Sequence, residues 1–226
     1  MNKEAVFLLG VAEGAGLILT AKAVHFAVSA HSGQMRKDGS TEYYEHPIRL
    51  ARMVHHALRD KVVSEGEKRV GISKYELDVI IASGLNHDTI EDGGKTKSQI
   101  EVEFNSDVAH VTDLLSKTKD MTAEEHFRRV SSDIRSILVK GYDRLCNVDD
   151  MAEVFSQKKL EEYIKETEQY VLPMLKMARR TYPLYSNNLV VCRDSIKAVL
   201  RSAKVALKLM KENEALKKKM GRLRKA

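Results

Sequence analysis

The feature that most constrains this chain is a scarcity of prolines combined with a helical spacing of apolar residues. Only Pro47, Pro173 and Pro183 occur among 226 residues, and runs of alternating β-branched residues are rare. Apolar residues instead recur at the three- and four-residue spacing of amphipathic helices. Because proline interrupts helix interiors, its scarcity leaves long segments free to be helical. The sequence therefore predicts an all-α fold, a helical bundle.

Local signals divide this helical chain into segments. Residues 3–32 predict one or two helices, weakened by glycines, and Pro47 opens another helix at its first turn. Residues 132–154 predict one long helix, or two with a break at Gly141. Glycine costs about 1 kcal/mol in a helix interior, so Gly141 indicates either a bend or a close approach of another element. Residues 157–181 predict a further helix that Pro183 stops.

Composition limits the environment of the chain. A hydrophobic fraction of 43% suffices for one substantial core. No apolar run approaches the roughly eighteen residues of a transmembrane helix, so no membrane span is expected. The apolar residues 5–10 lie between Glu4 and Glu13 and predict a helix rather than a signal peptide. Because Cys146 and Cys192 are too few for a disulfide framework, a cytoplasmic protein is expected.

The sequence predicts two parts, a main domain at residues 1–186 and a basic helical extension at residues 187–226. The extension carries one apolar stripe and ends in a cluster of lysines and arginines. This cluster is either a solvated tail or a contact to nucleic acid or another polyanion. The helix itself either packs on the domain, forms a homo-oligomer contact, or serves as a partner-binding arm. The stripe consists of Ile196, Val199, Leu200, Ala203, Leu207 and Met210.

The adjacent residues His87 and Asp88 are the strongest chemical signal. They stand at the end of an apolar helical run and offer one nitrogen and one oxygen ligand to a divalent metal. Glu91 and Asp92 follow Asp88 at i+3 and i+4, which return to one helix face. Metal ligands and acid or base groups therefore share one short segment. This arrangement is typical of a metal-dependent hydrolase.

Four motifs in a fixed order carry a family resemblance. Together they resemble the hydrolase domain of the RelA/SpoT-homologue family, which consists of HD-superfamily enzymes. These enzymes remove the 3′-pyrophosphate from the alarmone guanosine 3′,5′-bis(diphosphate). The motifs are AHSGQMRKDG at residues 30–39, YEHP at residues 44–47, HDTIED at residues 87–92 and VKGYDRLCN at residues 139–147. The resemblance covers roughly residues 20–180, and the length is similar to that of a stand-alone small alarmone hydrolase.

The resemblance implies a metal centre and its reaction partners. One Mn²⁺ is expected on four ligands, namely His46, His87, Asp88 and Asp143. Glu91 and Asp92 match the acids that orient and deprotonate the attacking water. His31 and Arg144 also match family positions, and a structural role is expected for each.

A substrate site is implied by three further positions. Arg36 and Lys37 match the basic pair that packs against the purine and contacts phosphate, and Asn147 matches a residue that contacts the nucleoside. The chemistry is consistent, because a planar guanidinium stacks on a base while an ammonium offers a point charge. A purine nucleotide alarmone is therefore the expected substrate.

Several alternatives stay open at this point. The chain resembles the family except where, for example, Gly93 stands in place of a threonine and Gly141-Tyr142 in place of a Leu-Ala pair. These departures leave the ligands intact but put substrate preference in doubt among guanosine alarmones, adenosine alarmones and NADPH. A second hypothesis is another HD phosphohydrolase, such as a nucleotidase. A third is a non-catalytic nucleotide or nucleic-acid binding module.

Overall fold

The computed structural model describes residues 1–36, 38–64 and 66–223, with the backbone alone described at residues 149–154, 218, 219 and 221–223. Within these ranges the chain forms eleven α-helices and no strand, only two isolated β-bridges. The all-α prediction is therefore confirmed. The helices are α1 (Lys3–Ala15), α2 (Ile18–Ala30), α3 (Glu45–Leu58), α4 (Lys74–Asn86), α5 (Lys97–Glu103), α6 (Ser106–Leu115), α7 (Ala123–Val130), α8 (Ile134–Val154), α9 (Gln157–Glu166), α10 (Leu172–Thr181) and α11 (Ser186–Leu223).

Helix α4 lies at the centre of the bundle. It begins where the Ser73 hydroxyl accepts a hydrogen bond from the Glu76 backbone N–H, and every residue from Leu77 to Asn86 is buried. Helices α2, α3, α6 and α8 all pack against it. Because α4 ends at Asn86, the next residue, His87, lies buried inside the bundle, and Asp88 after it is partly exposed.

Two glycines decide open questions about helix breaks. Gly16 has a φ of 64°, a left-handed conformation that ends α1, so residues 3–32 form two helices. Gly141 instead lies inside the unbroken helix α8. A Cβ at Gly141 would come within 2.9 Å of Leu175 Cδ2 and 3.3 Å of Cys192 Sγ. The glycine therefore allows α10 and α11 to approach α8 closely. Close packing explains Gly141, and a bend does not.

Helices α9 and α10 are joined without a loop. The five residues Thr167–Val171 form a π-helical turn between them. Pro173 follows directly at the start of α10. Because proline cannot donate the hydrogen bond that a continuous α-helix requires, the widened turn accommodates it within one nearly continuous segment. The predicted helix over residues 157–181 is present with this local change.

The first half of α11 belongs to the common core. Leu189, Cys192, Ile196, Leu200 and Ala203 are buried in the same cluster as the residues of α4 and α8. The described residues 211–217 are all exposed. The division at residues 186 and 187 stays a prediction about domains. In the described part of the chain, no helix has the length and apolar character needed to cross a bilayer.

Candidate active site

Three helices bring distant residues to one buried point. His46 lies in the first turn of α3, His87 follows the last residue of α4, and Asp143 lies in the middle of α8. Their ligand atoms lie within 4.8 Å of one another, and all three residues are buried. His46 Nε2 is 3.0 Å from Asp143 Oδ1, and His87 Nε2 is 3.6 Å from the same oxygen. Packing of α3, α4 and α8 therefore unites residues that the sequence separates widely.

Asp88 faces the same point from the outer side. Its Oδ2 lies 3.0 Å from His87 Nε2, and its side chain is 20% exposed. The Tyr43 hydroxyl donates a hydrogen bond to this oxygen at 2.8 Å. All four residues predicted as metal ligands therefore converge, and the Asp88 carboxylate is the one that solvent can reach.

The His87 ring shows that the cluster fits a cation. Its Nδ1–H donates to the Gly84 carbonyl oxygen at 2.8 Å, which leaves the Nε2 lone pair directed at the carboxylates of Asp88 and Asp143. Nε2 is buried and has no hydrogen-bond partner. A lone pair and two carboxylates repel one another unless positive charge lies between them, either a proton on Nε2 or a bound cation. Two imidazoles and two carboxylates are a donor set that suits a divalent cation such as Mn²⁺.

The pKa values of the buried groups also indicate that the cluster favours positive charge. Burial alone lowers the pKa of His87, but the carboxylates of Asp88 and Asp143 outweigh it and raise this pKa to about 10. Burial alone raises the pKa of Asp143, yet the Lys140 ammonium and the two imidazoles hold it well below its usual value. The protein therefore keeps the Asp143 carboxylate ionised in a buried position, as a metal ligand requires.

Lys140 is a site residue that the sequence reading missed. Its Nζ lies 3.1 Å from Asp143 Oδ2, the oxygen that does not face the two histidines. Lys140 is three residues before Asp143 on α8, so this spacing within the fourth motif was an available signal. Tyr43 was missed as well, although it stands three residues before His46. Both residues fix carboxylate groups of the cluster in place.

Glu91 and Asp92 lie in the turns that follow α4, and they point in different directions. Tyr43 donates to Asp92 Oδ2 at 3.1 Å, which holds Asp92 beside Asp88. Glu91 Oε2 accepts a hydrogen bond from the Lys117 backbone N–H at 3.1 Å. Partial desolvation raises the pKa of Glu91 above its usual value, although the hydrogen bond from Lys117 acts to lower it. The Asp92 backbone N–H still bonds to the Asp88 carbonyl at 2.8 Å, so one helix-like turn persists.

Two of the three predicted substrate contacts are connected to the cluster. Arg36 donates to Asn147 Oδ1 at 3.3 Å, and Asn147 Nδ2 donates to Asp143 Oδ1 at 2.6 Å. A cavity of about 440 Å³ opens beside His46 and is lined by Arg36, Arg49 and other polar residues. A larger cavity of about 820 Å³ between α1, α3, α8 and α11 does not reach the four ligands. Lys37 lies outside the described residues.

Arg144 and His31, for which a structural role is expected, both contact other side chains of the protein. Arg144 is buried, donates to Thr167 Oγ1 at 3.0 Å, pairs with Glu166 and lies over the Tyr163 ring. These contacts tie α8 to α9 and the π turn. His31 stacks on the Tyr43 ring with 4.6 Å between centroids, and so it supports the tyrosine that orients Asp88.

Known proteins share both the sequence features and the fold. The family model described as HD domain matches residues 23–171, a range that includes all four potential ligands. The guanosine-3′,5′-bis(diphosphate) 3′-pyrophosphohydrolase of Xenopus tropicalis is 29% identical over 77% of this chain and 92% of that protein. The protein of the same name from Danio rerio is 30% identical over 66% of this chain and 79% of that protein.

A longer relative and a solved structure extend the comparison. A GTP pyrophosphokinase of Myxococcus xanthus is 30% identical over 61% of this chain, which spans only 18% of that protein. A solved structure described as a metazoan ortholog of SpoT that hydrolyses ppGpp superimposes with a TM-score of 0.59 at 19% identity. The match covers 81% of this chain and 94% of the other, and at this identity it establishes the shared fold.

Proposed function

Because the chain belongs to the HD-domain family, we propose that it hydrolyses the 3′-pyrophosphate of guanosine 3′,5′-bis(diphosphate) and related alarmones. The observation that carries the proposal is the buried His87 Nε2, which faces two carboxylates without a hydrogen-bond partner. The relatives named as 3′-pyrophosphohydrolases support the choice of substrate. Hydrolysis adds water across the bond between the 3′-oxygen and its phosphorus, giving a 5′-diphosphate nucleoside and pyrophosphate.

The four clustered residues would hold the cofactor, which we propose is Mn²⁺. His46, His87, Asp88 and Asp143 provide the ligand atoms, and Lys140 and Asn147 hold the Asp143 carboxylate in position. When bound, a divalent cation supplies a Lewis acid that polarises the phosphate and lowers the pKa of a coordinated water. Tyr43 keeps the Asp88 carboxylate directed inward by donating a hydrogen bond to it.

We assign the proton-transfer chemistry to Glu91 and Asp92. Asp92 is held next to Asp88 through Tyr43, where it can orient the attacking water. Glu91 has a raised pKa, which makes its carboxylate a better proton acceptor near neutral pH. Arg36, Lys37 and Asn147 are the proposed contacts to the purine nucleoside and its phosphates. The connection from Arg36 through Asn147 to Asp143 supports a substrate held directly beside the cluster.

A second candidate is another HD phosphohydrolase that acts on a deoxynucleotide or on NADPH. The shared metal ligands suit this activity equally well, because they do not contact the base. The basic position Arg36 beside Asn147 favours a purine nucleotide with phosphate near the cluster. A non-catalytic binding module would not require Glu91 and Asp92, and their presence next to the ligands favours an enzyme.

Substrate comparison separates these candidates. Purified protein with Mn²⁺ is expected to release pyrophosphate from guanosine 3′,5′-bis(diphosphate) faster than it releases phosphate from NADPH or a deoxynucleoside triphosphate. The adenosine alarmone, assayed in parallel, reports the purine preference. Phosphate release from the deoxynucleotide or NADPH, with none from either alarmone, would replace the proposal by the second candidate. Binding without turnover of all four compounds would identify a binding module.

A further inference from the structure

The net positive charge of the chain is concentrated at one end of α11. Residues 208–226 contain eight lysines and arginines and two glutamates. This excess of six equals the net charge of the whole chain, so residues 1–207 carry thirty charges of each sign. The excess therefore belongs to one segment, the C-terminal part of α11 and the residues after it, and not to the catalytic bundle.

The same helix carries a second apolar stripe, on the side opposite its buried residues. Val205, Leu209, Leu216 and Met220 are each between 55% and 60% exposed. At 3.6 residues per turn these four residues fall roughly 155° around the helix axis from the buried residues Ile196, Leu200 and Ala203. We call the four residues the outer stripe. It spans about 23 Å along the helix at the usual rise of 1.5 Å per residue.

Basic side chains border the outer stripe. Lys208 and Lys217 lie roughly 90° from it on opposite sides of the helix. Lysine can lay its methylene stem along an apolar surface while its ammonium reaches a polar layer. An apolar line between two basic margins is the pattern of a helix that lies in the interface of an anionic membrane. The bundle packs against the buried residues of α11, which lie on the side opposite the outer stripe.

A second copy of the chain fits the outer stripe less well. Leu209 and Leu216 follow a seven-residue spacing, but the same spacing from Val205 leads to Glu212. A parallel coiled coil with both series in its seam would place the charge of Glu212 against the same charge of the partner. The two basic segments would also repel each other. Nucleic acid would bind the positive charge, but its phosphate backbone has no apolar surface against which the leucines could pack.

We propose that α11, from about Val205 to Met220, is a peripheral membrane-binding surface for anionic phospholipid. The lysines and arginines beyond Lys208 attract the lipid headgroups, and the outer stripe enters the headgroup and acyl boundary. This places the catalytic bundle at the membrane surface. The surface is separate from the proposed catalytic site, so its test does not depend on the proposed reaction.

Cosedimentation of the full chain with vesicles tests this proposal. Vesicles of equal parts phosphatidylcholine and phosphatidylglycerol are expected to bind the protein, and vesicles of phosphatidylcholine alone are not. Salt should weaken the binding. Leu209→Asn with Leu216→Asn preserves every charge and is expected to weaken binding roughly tenfold for each leucine. Replacement of Lys217, Lys218 and Lys219 by glutamine should weaken it about fivefold for each lysine.

Matched variants keep the result interpretable. Val70→Asn with Val102→Asn changes two exposed valines outside α11, which are 82% and 89% exposed, and should leave vesicle binding unchanged. Circular dichroism melting verifies folding of each variant. Equal binding to neutral vesicles, no binding, or full binding by the leucine variant overturns the proposal. So does a dimer that the leucine variant converts to a monomer, or binding to duplex DNA without binding to anionic vesicles.

Discussion

Asp88→Ala is expected to lower the rate of pyrophosphate release by about a thousandfold or more and to abolish stoichiometric Mn²⁺ binding. Asp88 Oδ2 lies 3.0 Å from His87 Nε2 and is the ligand atom of the cluster nearest to solvent. Its removal leaves one carboxylate, that of Asp143, to balance a divalent charge in a buried site. Metal binding is measured by calorimetry, and the rate by pyrophosphate detection with the guanosine alarmone.

Two further variants separate the loss of the ligand from a loss of folding. Asp88→Asn keeps the shape of the side chain and should show nearly the same defect, because it removes the charge. Asp60→Ala removes an aspartate whose side chain is 91% exposed after the C-terminal end of α3, and it should behave as the unaltered protein. Unchanged metal binding and turnover in Asp88→Ala, at an unchanged melting temperature, would show that Asp88 is not a ligand.

Glu91→Gln is expected to reduce kcat by about 10²- to 10⁴-fold while leaving Mn²⁺ affinity unchanged. Glutamine keeps the oxygen that accepts the Lys117 backbone N–H, so the local turn should persist. The lost function is proton acceptance. The base must be deprotonated to act, so kcat of the unaltered protein should fall as pH falls through the raised pKa of Glu91.

The pH profile distinguishes a proton acceptor from a structural residue. Residual activity of Glu91→Gln should lose the acidic limb that belongs to Glu91, and addition of a small carboxylate such as formate should restore part of the rate. Glu101→Gln, an exposed residue on α5, serves as the control and should not change kcat. An unaltered rate and acidic limb in Glu91→Gln would assign proton transfer to Asp92 instead.

Much of the fold could be predicted from the sequence because local signals agree with the final packing. Apolar periodicity predicted α4 correctly up to His87 and Asp88. The prediction that Glu91 and Asp92 share a helix face with Asp88 was wrong, because α4 ends at Asn86 and turns follow it. Gly141 was ambiguous because a helical glycine is compatible with a bend or with close packing. Only the approach of Leu175 and Cys192 to within 2.9 and 3.3 Å of its Cβ position decides between them.

The candidate site could be predicted from the sequence only in part. His87 and Asp88 are adjacent, so their joint role could be inferred directly, whereas His46 and Asp143 joined them only through the motif resemblance. Lys140 was overlooked because a lysine three residues from an aspartate usually forms a surface pair. The effect of Lys140 on Asp143 arises from the burial of both residues, which cannot be read from the sequence. Likewise, no spacing rule foresees that Glu91 turns to the Lys117 backbone while Asp92 stays with Asp88.

The most direct test of the metal-dependent hydrolase is removal and return of the metal. Protein depleted with a chelator and then dialysed is assayed for pyrophosphate release from guanosine 3′,5′-bis(diphosphate) as Mn²⁺ is titrated back. No release is expected from the depleted protein, and recovery should saturate at one equivalent of Mn²⁺ per chain, with pyrophosphate and guanosine diphosphate formed in equal amounts. Undiminished pyrophosphate release from fully depleted protein would show that the reaction does not require the metal.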